Sequence, residues 1–348
     1  MEINKGNYSI DTPERFKCYM EARAYGSEDA FYEYRKNWDT FPKTQYVSEY
    51  PLSLEFQISD VCNLKCSFCY RGQDGYSPDA DNFMDFGLFK EAIDEVAHKV
   101  PAIRFNSSGE SVLHPQFLEM VKYAKDHGAI EVSFITNSGA ISLDLFEKIL
   151  LAGVDWITVS VDGLYEDYEK NRFPLKFEET YQRLKAMKQI KEKYSTPKPA
   201  INVQGIWTLI EPHIDEYVDM MTQVSDYINY GAFIDIPRIK AEKDKSNNDP
   251  DFVCAQPFQR MLISLHGDVL GCCGFGSTYD EQTLLGNLQK SSVYDVWHGE
   301  KFASLRQKCA LPGGYKEASV CKDCVVPRKM KEKIVKVHGE ERIIKEYI

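Results

Sequence analysis

The chain lacks the features that would tie it to a membrane or to nucleic acid. Its first residues, MEINKGNYSIDTPERF, hold no apolar signal core. No apolar run approaches the roughly 20 residues that span a bilayer. Positive charge is in deficit: 42 Lys and Arg stand against 53 Asp and Glu, a net charge of −11. That balance argues against nucleic acid and anionic lipid as partners. There is no internal repeat and no low-complexity segment. The expectation is a cytosolic (cytoplasmic) protein, and in that reducing compartment ten cysteines point to metal sites rather than disulfides.

What is present suits a large catalytic domain with appendages: 348 residues, 43% hydrophobic and 13% aromatic. Residues 1–50 read as a polar, aromatic lead-in with a helical patch around Ser27 to Trp38 that packs on the main domain, over its open side. From 51 to 240, apolar runs of strand type alternate with segments of helical period. About six β/α units result, which implies a parallel sheet curved into a partial (β/α)6 TIM-like barrel of the α/β class. Active sites of such sheets lie at the strand C-termini. Cys62, Gly109, Asn137, Ser160 and Thr208 all fall at or just after such ends. After the polar boundary KAEKDKSNNDPD, residues 241–327 form a smaller cysteine-bearing unit, with a β-hairpin turning at His266-Gly267-Asp268 and a short helix at 293–308. The tail, 328–348, with seven Lys/Arg against four Asp/Glu, reads as a solvated terminal helix.

The stretch SDVCNLKCSFCY places Cys62, Cys66 and Cys69 within eight residues. A structural zinc site would ask for a fourth Cys or His close by, and the nearest histidines are His98 and His114. His114 reads as part of a loop and helix cap. Thiolate-only ligation fits an iron–sulfur cluster, and three thiolates for four irons leave one iron open to substrate or cofactor.

C-x3-C-x2-C after the first strand, with an aromatic before the last Cys, resembles the signature of the radical S-adenosylmethionine (radical SAM) enzymes. The resemblance covers about residues 52–325. It implies that Cys62, Cys66 and Cys69 hold a [4Fe–4S] cluster whose open iron is chelated by the methionine part of SAM, with Phe68 and Tyr70 flanking. It also implies reductive SAM cleavage to a 5′-deoxyadenosyl radical that abstracts hydrogen. NSSGESVLHP resembles the family's Gly-Gly-Glu-Pro element, with Ser108, Gly109 and Glu110 near the SAM amino group; Ser108 and Ser111 replace its first Gly and its Pro. SVDG resembles the family's strand-four motif, whose Ser, here Ser160, contacts the SAM carboxylate, and Arg172 in EKNRF matches an Arg that pairs with the same carboxylate; Asp162 in the same motif is a further cofactor-binding candidate. ITNSG places Asn137 near the adenosine.

Cys254, twelve residues, Gly267, four residues and Cys272, followed by Cys321-x2-Cys324, form a second set. Read alone, it could be a zinc knuckle. With LLGNL, VYDVWHG and CKDC it resembles the SPASM extension or its shorter twitch form, which implies one fully ligated auxiliary [4Fe–4S] cluster. Such a cluster suits electron transfer: a carbon radical beside a deprotonated hydroxyl is a good reductant.

Cys18, Cys273 and Cys309 remain. Each reads either as a small buried hydrophobe or, for Cys273 and Cys309, as a hydrogen donor to a substrate radical; Cys309 could also replace one of the four ligands. Gln204, Trp207, Arg238 and Tyr70 are candidate substrate contacts, with core packing an equal reading for Trp207. The leading expectation is oxidation of a hydroxyl-bearing carbon in a small polyol, amino sugar or aminocyclitol, with flavodoxin or ferredoxin as electron donor. The lead-in looks too short for a leader-binding domain, but a peptide crosslinking maturase and an epimerase remain alternatives. So does a non-catalytic iron–sulfur or zinc protein.

Overall fold

Period-two alternation decides which face of the sheet meets the helices. The computed structural model describes residues 7–69, 82–106, 108–231, 247–272, 284–318, 321, 324 and 326–347. The lead-in forms strand β1 (Asn7–Ser9) and helices α1 (Pro13–Ala24) and α2 (Glu28–Thr44). Thr12 caps α1 by accepting from the Arg15 N–H, with Pro13 at the first helical position.

Six parallel strands follow: β2 (Ser53–Phe56), β3 (Ala102–Phe105), β4 (Glu131–Thr136), β5 (Trp156–Ser160), β6 (Ala200–Ile206) and β7 (Tyr227–Gly231). Their connections carry α3 (Phe86–Val96), α4 (Phe117–Asp126), α5 (Leu143–Leu151), α6 (Tyr165–Asn171), α7 (Phe177–Lys193), the single turn α8 (Trp207–Ile210) and α9 (Ile214–Val224). Sequential neighbours pair in parallel from β2 to β7, as a partial (β/α)6 barrel requires.

The sheet continues past β2 into the cysteine-bearing unit. Strand β8 (Arg260–Ile263) pairs with β2 in parallel, then β9 (Asp268–Leu270) and β10 (Gly286–Asn287) add antiparallel strands. The hairpin turns where expected, with Gly267 at φ +80°. The expected helix at 293–308 is two helices, α10 (Val293–His298) and α11 (Glu300–Ala310), parted by an extended Gly299.

The helix-facing side of the barrel is apolar. A row of rings, Phe56, Phe89, Phe105, Phe117 and Phe134, runs from β2 to β4 with successive centroids 4.9, 5.8, 5.7 and 5.1 Å apart. Such pairs add about 0.5–1.5 kcal/mol each beyond area burial. The alternate positions carry Glu55, Asn106, Ser133, Thr158, Asn202 and Asn229, so the opposite face is polar.

The lead-in closes the N-terminal end of the strands. Arg23 reaches Glu131 at the start of β4 with contacts of 3.0 and 2.7 Å and stacks 4.5 Å from the Trp156 ring centre. Tyr19 stacks on Tyr227 at 4.8 Å, and β1 pairs antiparallel with β7. A cavity of about 210 Å³ lies at this end, lined by Arg104, Trp38 and Trp156 among others.

The tail is not the expected helix. Strands β11 (Met330–Val337) and β12 (Glu340–Tyr347) form a two-stranded hairpin. His338 and Gly339 take φ +51° and +79° at its turn, the twist-matched geometry of two-residue hairpin loops. Val337 and Ile344 are buried, and the Tyr230 hydroxyl accepts from the Lys345 N–H at 2.8 Å.

Candidate active site

The cysteine loop leaves β2 through a turn that only glycine across from it allows. The Val61 N–H donates to the Ser59 hydroxyl at 3.1 Å, and the Glu110 N–H donates to the Val61 carbonyl at 2.7 Å. Gly109, at φ +68°, lies so close that a Cβ there would sit 2.4 Å from the Ser59 carbonyl oxygen. The Ser108 hydroxyl donates to Asp60 at 2.5 Å and accepts from Gln57 at 3.0 Å. The segment after β3 therefore cradles the start of the loop.

The far end of the loop is tied to the connection after α6. The Lys65 N–H donates to the Phe173 carbonyl at 3.0 Å, and the Ser67 N–H to that of Asn171 at 3.2 Å. Between them Arg172 clamps Asp162 through two nitrogens, Nη2 lying 3.1 Å from Oδ1, with its guanidinium 5.5 Å from the Phe68 ring centre. Both side chains are largely buried, at 13% and 4% exposure. Asp162 thus orients Arg172, which was expected to meet the SAM carboxylate.

Burial pushes the Cys66 thiol up to about 11, Arg172 opposing, with Cys69 and Cys62 adding to the rise. Asn137, at the end of β4, sets its amide nitrogen 3.9 Å from Cys62 Sγ and 2.9 Å from Asn63 Oδ1. Its backbone N–H donates to Glu110 at 2.8 Å. Glu110 is 2% exposed, and burial pushes its carboxyl up to about 7. Its second oxygen, Oε1, is buried without a partner. Three thiols, a buried carboxylate oxygen awaiting a donor and a shielded guanidinium form a donor set suited to a thiolate-bound cluster and a zwitterionic ligand.

The structure thus gathers Cys62, Cys66, Cys69, Phe68, Ser108, Gly109, Glu110, Asn137, Asp162 and Arg172 at adjoining strand ends. Ser160 and Gln204 are cross-strand partners on β5 and β6, both partly exposed. Trp207 does not continue β6. It opens α8, is 1% exposed, and donates its indole N–H to Glu346 of the tail hairpin at 2.7 Å, so it packs beneath that hairpin. Tyr70, Arg238 and Cys273 lie outside the described residues. Asn63 and Asn171, which pin the loop, carry no sequence signal beyond adjacency to Cys62 and Arg172. His114 is a structural residue. It accepts from the Gln116 N–H at Nδ1 (3.0 Å), so its Nε2–H donates to the Met84 carbonyl at 2.9 Å.

In the C-terminal unit, Cys254 and Cys321 pack with Leu305, Ala318 and the fully buried Cys309. Cys272 lies just past β9 against Leu262, Leu270 and Leu284, and the Cys324 N–H donates to the Cys321 carbonyl at 3.0 Å. Among the described residues no three His, Cys, Asp or Glu side chains converge tightly enough to hold a single metal ion. A four-iron cluster, whose thiolates bind different irons, asks for a wider spacing. Nor is any helix among the described residues long and apolar enough to cross a membrane.

Comparison with known proteins places this geometry. Residues 56–221 match the family model of the radical SAM superfamily, and residues 254–325 match SPASM, an iron–sulfur cluster-binding domain. A Pyrococcus furiosus protein described as a tungsten-containing aldehyde ferredoxin oxidoreductase cofactor-modifying protein is 26% identical over 302 residues, 73% of this chain and 82% of its own length. BtrN in complex with AdoMet and 2-DOIA superposes with a TM-score of 0.54 at 18% identity, covering 80% of this chain and 94% of that one. Streptococcus suis SuiB bound to precursor peptide SuiA superposes with a TM-score of 0.53 at 12% identity, covering 82% and 75%. At these identities the two structures show the shared fold alone.

Proposed function

This chain belongs to the radical SAM superfamily and carries a C-terminal SPASM domain, and from that premise we propose that it oxidises a small, hydroxyl- or amine-bearing molecule held against the polar face of the barrel. SAM and iron–sulfur clusters are its cofactors. Cys62, Cys66 and Cys69 would hold the cluster that binds SAM. Cys254, Cys272, Cys321 and Cys324 would hold an auxiliary cluster. When bound, these groups supply a 5′-deoxyadenosyl radical for hydrogen abstraction and an acceptor for one electron from the resulting carbon radical.

The protein's own residues do the rest. Asp162 holds Arg172 in one orientation beside Cys66, where a fixed guanidinium can meet a carboxylate. Glu110 offers its partnerless Oε1 to an amino group. Gly109 lets the backbone at Glu110 pass close to the start of the cysteine loop. Ser160, at the end of β5, would meet the SAM carboxylate beside Arg172, and its cross-strand partner Gln204 on β6 would face the substrate. Loss of the hydroxyl proton from substrate makes its carbon radical a stronger reductant, so a two-electron oxidation releases two hydrogens in all.

The observation that carries the substrate class is the inner face. Amides and hydroxyls replace aliphatic side chains there, and the buried oxygens Asn106 Oδ1, Asn202 Oδ1 and Asn229 Oδ1 have no partner. The Asn106 assignment is firm, because its amide nitrogen donates to the Glu55 carboxylate at 3.2 Å. Orphan acceptors call for hydroxyl or amine donors on the ligand. The likeness to the P. furiosus cofactor-modifying protein supports a second reading within the same chemistry, a heteroatom-rich cofactor precursor as substrate.

The test is anaerobic turnover with SAM and a flavodoxin, ferredoxin or dithionite reductant. Panels of cyclitols, amino sugars, cofactor precursors and peptides are screened for 5′-deoxyadenosine. A carbon-deuterated polyol or precursor should pass deuterium to 5′-deoxyadenosine and emerge three mass units lighter than the labelled substrate, having lost one deuterium from carbon and one hydrogen from the hydroxyl or amine. Turnover confined to peptides overturns the proposal, and solvent deuterium in an otherwise unchanged product indicates an epimerase.

A further inference from the structure

We propose that the cavity at the N-terminal end of the barrel strands binds a small hydroxylated oxyanion, a hydroxy acid or a short polyol phosphate, gripped by Arg104. The site is distinct from the SAM cradle. It is lined by Ser53, Ala102, Glu131 and Trp156, the first residues of β2, β3, β4 and β5, whereas the cradle is built past the other ends of these strands. Active sites of such barrels lie at the strand C-termini, so this ligand is not the substrate of the radical chemistry.

The walls carry surplus positive charge in a chain whose net charge is −11. Four arginines, Arg23, Arg35, Arg104 and Arg260, face three acids, Asp39, Glu55 and Glu131. Glu131 is taken by Arg23 at 2.7 Å and Glu55 by Arg260 at 2.5 Å, while Asp39 lies exposed. Among the described residues Arg104 forms no ion pair, and its buried Nε has no hydrogen-bond partner. Its guanidinium lies 4.9 Å from the Trp156 ring centre, a contact that places the cation without satisfying its donors. Removing a charge from water without a partner is costly. A planar guanidinium with donors to spare is also the group that best grips carboxylate and phosphate oxygens.

Gln256 sets the second requirement. Its Oε1 is buried without a partner at the same cavity, and an orphan acceptor calls for a hydroxyl. Turned over, the same amide would donate to the anion, so a ligand with both groups satisfies either orientation. The cavity, about 210 Å³, is smaller than those that enclose drug-sized molecules, so its occupant is small. Its lining joins three distant stretches of chain: Arg35 and Trp38 on α2, Arg104 and Trp156 in the barrel, Gln256 and Arg260 at the start of the cysteine-bearing unit. Gln259 already links the last to the first, its Nε2 donating to the Trp38 carbonyl at 2.7 Å. A bound oxyanion adds a further link, and a ligand that binds only the folded chain stabilises it.

The experiment uses the full chain, reconstituted anaerobically and saturated with SAM so that probes do not compete at Arg172. Calorimetry and thermal unfolding are run with glycerol 3-phosphate, glycerate and inorganic phosphate, against chloride at equal ionic strength. The expected result is one saturable site per chain, with a melting temperature that climbs with probe concentration. Arg104→Gln should weaken binding by about tenfold or more and leave SAM binding unchanged. Tighter binding of glycerol 3-phosphate than of glycerate assigns a phosphate ester, and the reverse assigns a hydroxy acid. Arg104→Lys, which keeps the charge but loses the fork, replaces R104Q if glutamine prevents folding, and should also weaken binding. No saturable binding beyond that of chloride overturns the proposal, as does binding that the Arg104 variant leaves intact.

Discussion

Replacing Gly109 by alanine probes the cradle under the cysteine loop. Two costs add. A residue with a Cβ at φ +68° loses roughly 1–2 kcal/mol for left-handed backbone. The new Cβ would also lie 2.4 Å from the Ser59 carbonyl oxygen and 2.9 Å from that of Val61, both backbone atoms that cannot swing aside. Relieving such overpacking typically costs another 1–3 kcal/mol, so the total is about 2–5 kcal/mol. The control is Gly26→Ala, at φ +79° with nothing within 4 Å of its Cβ, which carries the backbone cost alone. Urea unfolding of the reconstituted proteins gives the stability difference, and iron content reports the cysteine loop. The expected outcome is that G109A is less stable than G26A and loses iron from the first cluster only. Equal stability in the two variants, with full iron in both, would refute the claim that this close approach positions the loop.

Other consequences are as direct. Asp162→Asn leaves the buried Arg172 without its counter-charge and should cost about 3–5 kcal/mol, seen in urea unfolding, with weaker SAM binding by calorimetry. Arg172→Lys keeps the charge but loses the two-pronged contact, so SAM binding should weaken there as well. The Glu110 carboxyl sits near 7 in the fold against an ordinary 4.5, so the folded state holds its proton more tightly than the unfolded chain. The stability this gives is complete below about pH 4.5 and is lost as pH rises through about 7. Glu110→Gln should therefore remove that part of the pH dependence, measured as the difference between urea midpoints at pH 4.5 and pH 8. Glu346→Ala strands the buried Trp207 N–H and should destabilise by about 1–3 kcal/mol, read in the same unfolding assay.

The strand-end motifs were legible because ligand chemistry ties residue type to position. Cys62, Cys66 and Cys69 follow one strand, Gly109 and Glu110 the next, Asn137 and Asp162 the two after. The succession of strand-type apolar runs and segments of helical period likewise announced the parallel series, since parallel strands need helical crossovers between them. The lead-in was harder to read: α1 buries little apart from Tyr19, Arg23 and Ala24, so its apolar period is faint. The tail hairpin left still less trace. Most of its residues face solvent, only Val337 and Ile344 are buried, and its turn is His-Gly rather than the commoner Asn-Gly. Because that hairpin was unforeseen, so was the acceptor that draws Trp207 beneath it. The Arg172–Asp162 clamp joins residues ten apart across a helix, and no spacing rule marks such a pair.

The central claim is that one cluster is open to SAM and a second is closed by its own four cysteines. Iron analysis with EPR, with and without SAM, tests it in the wild type and in the C62A/C66A/C69A variant. The account predicts about eight irons per chain in the first, about four in the second, and a SAM-induced spectral change only in the first. Four irons in the wild type, or a SAM response that survives loss of Cys62, Cys66 and Cys69, would contradict it.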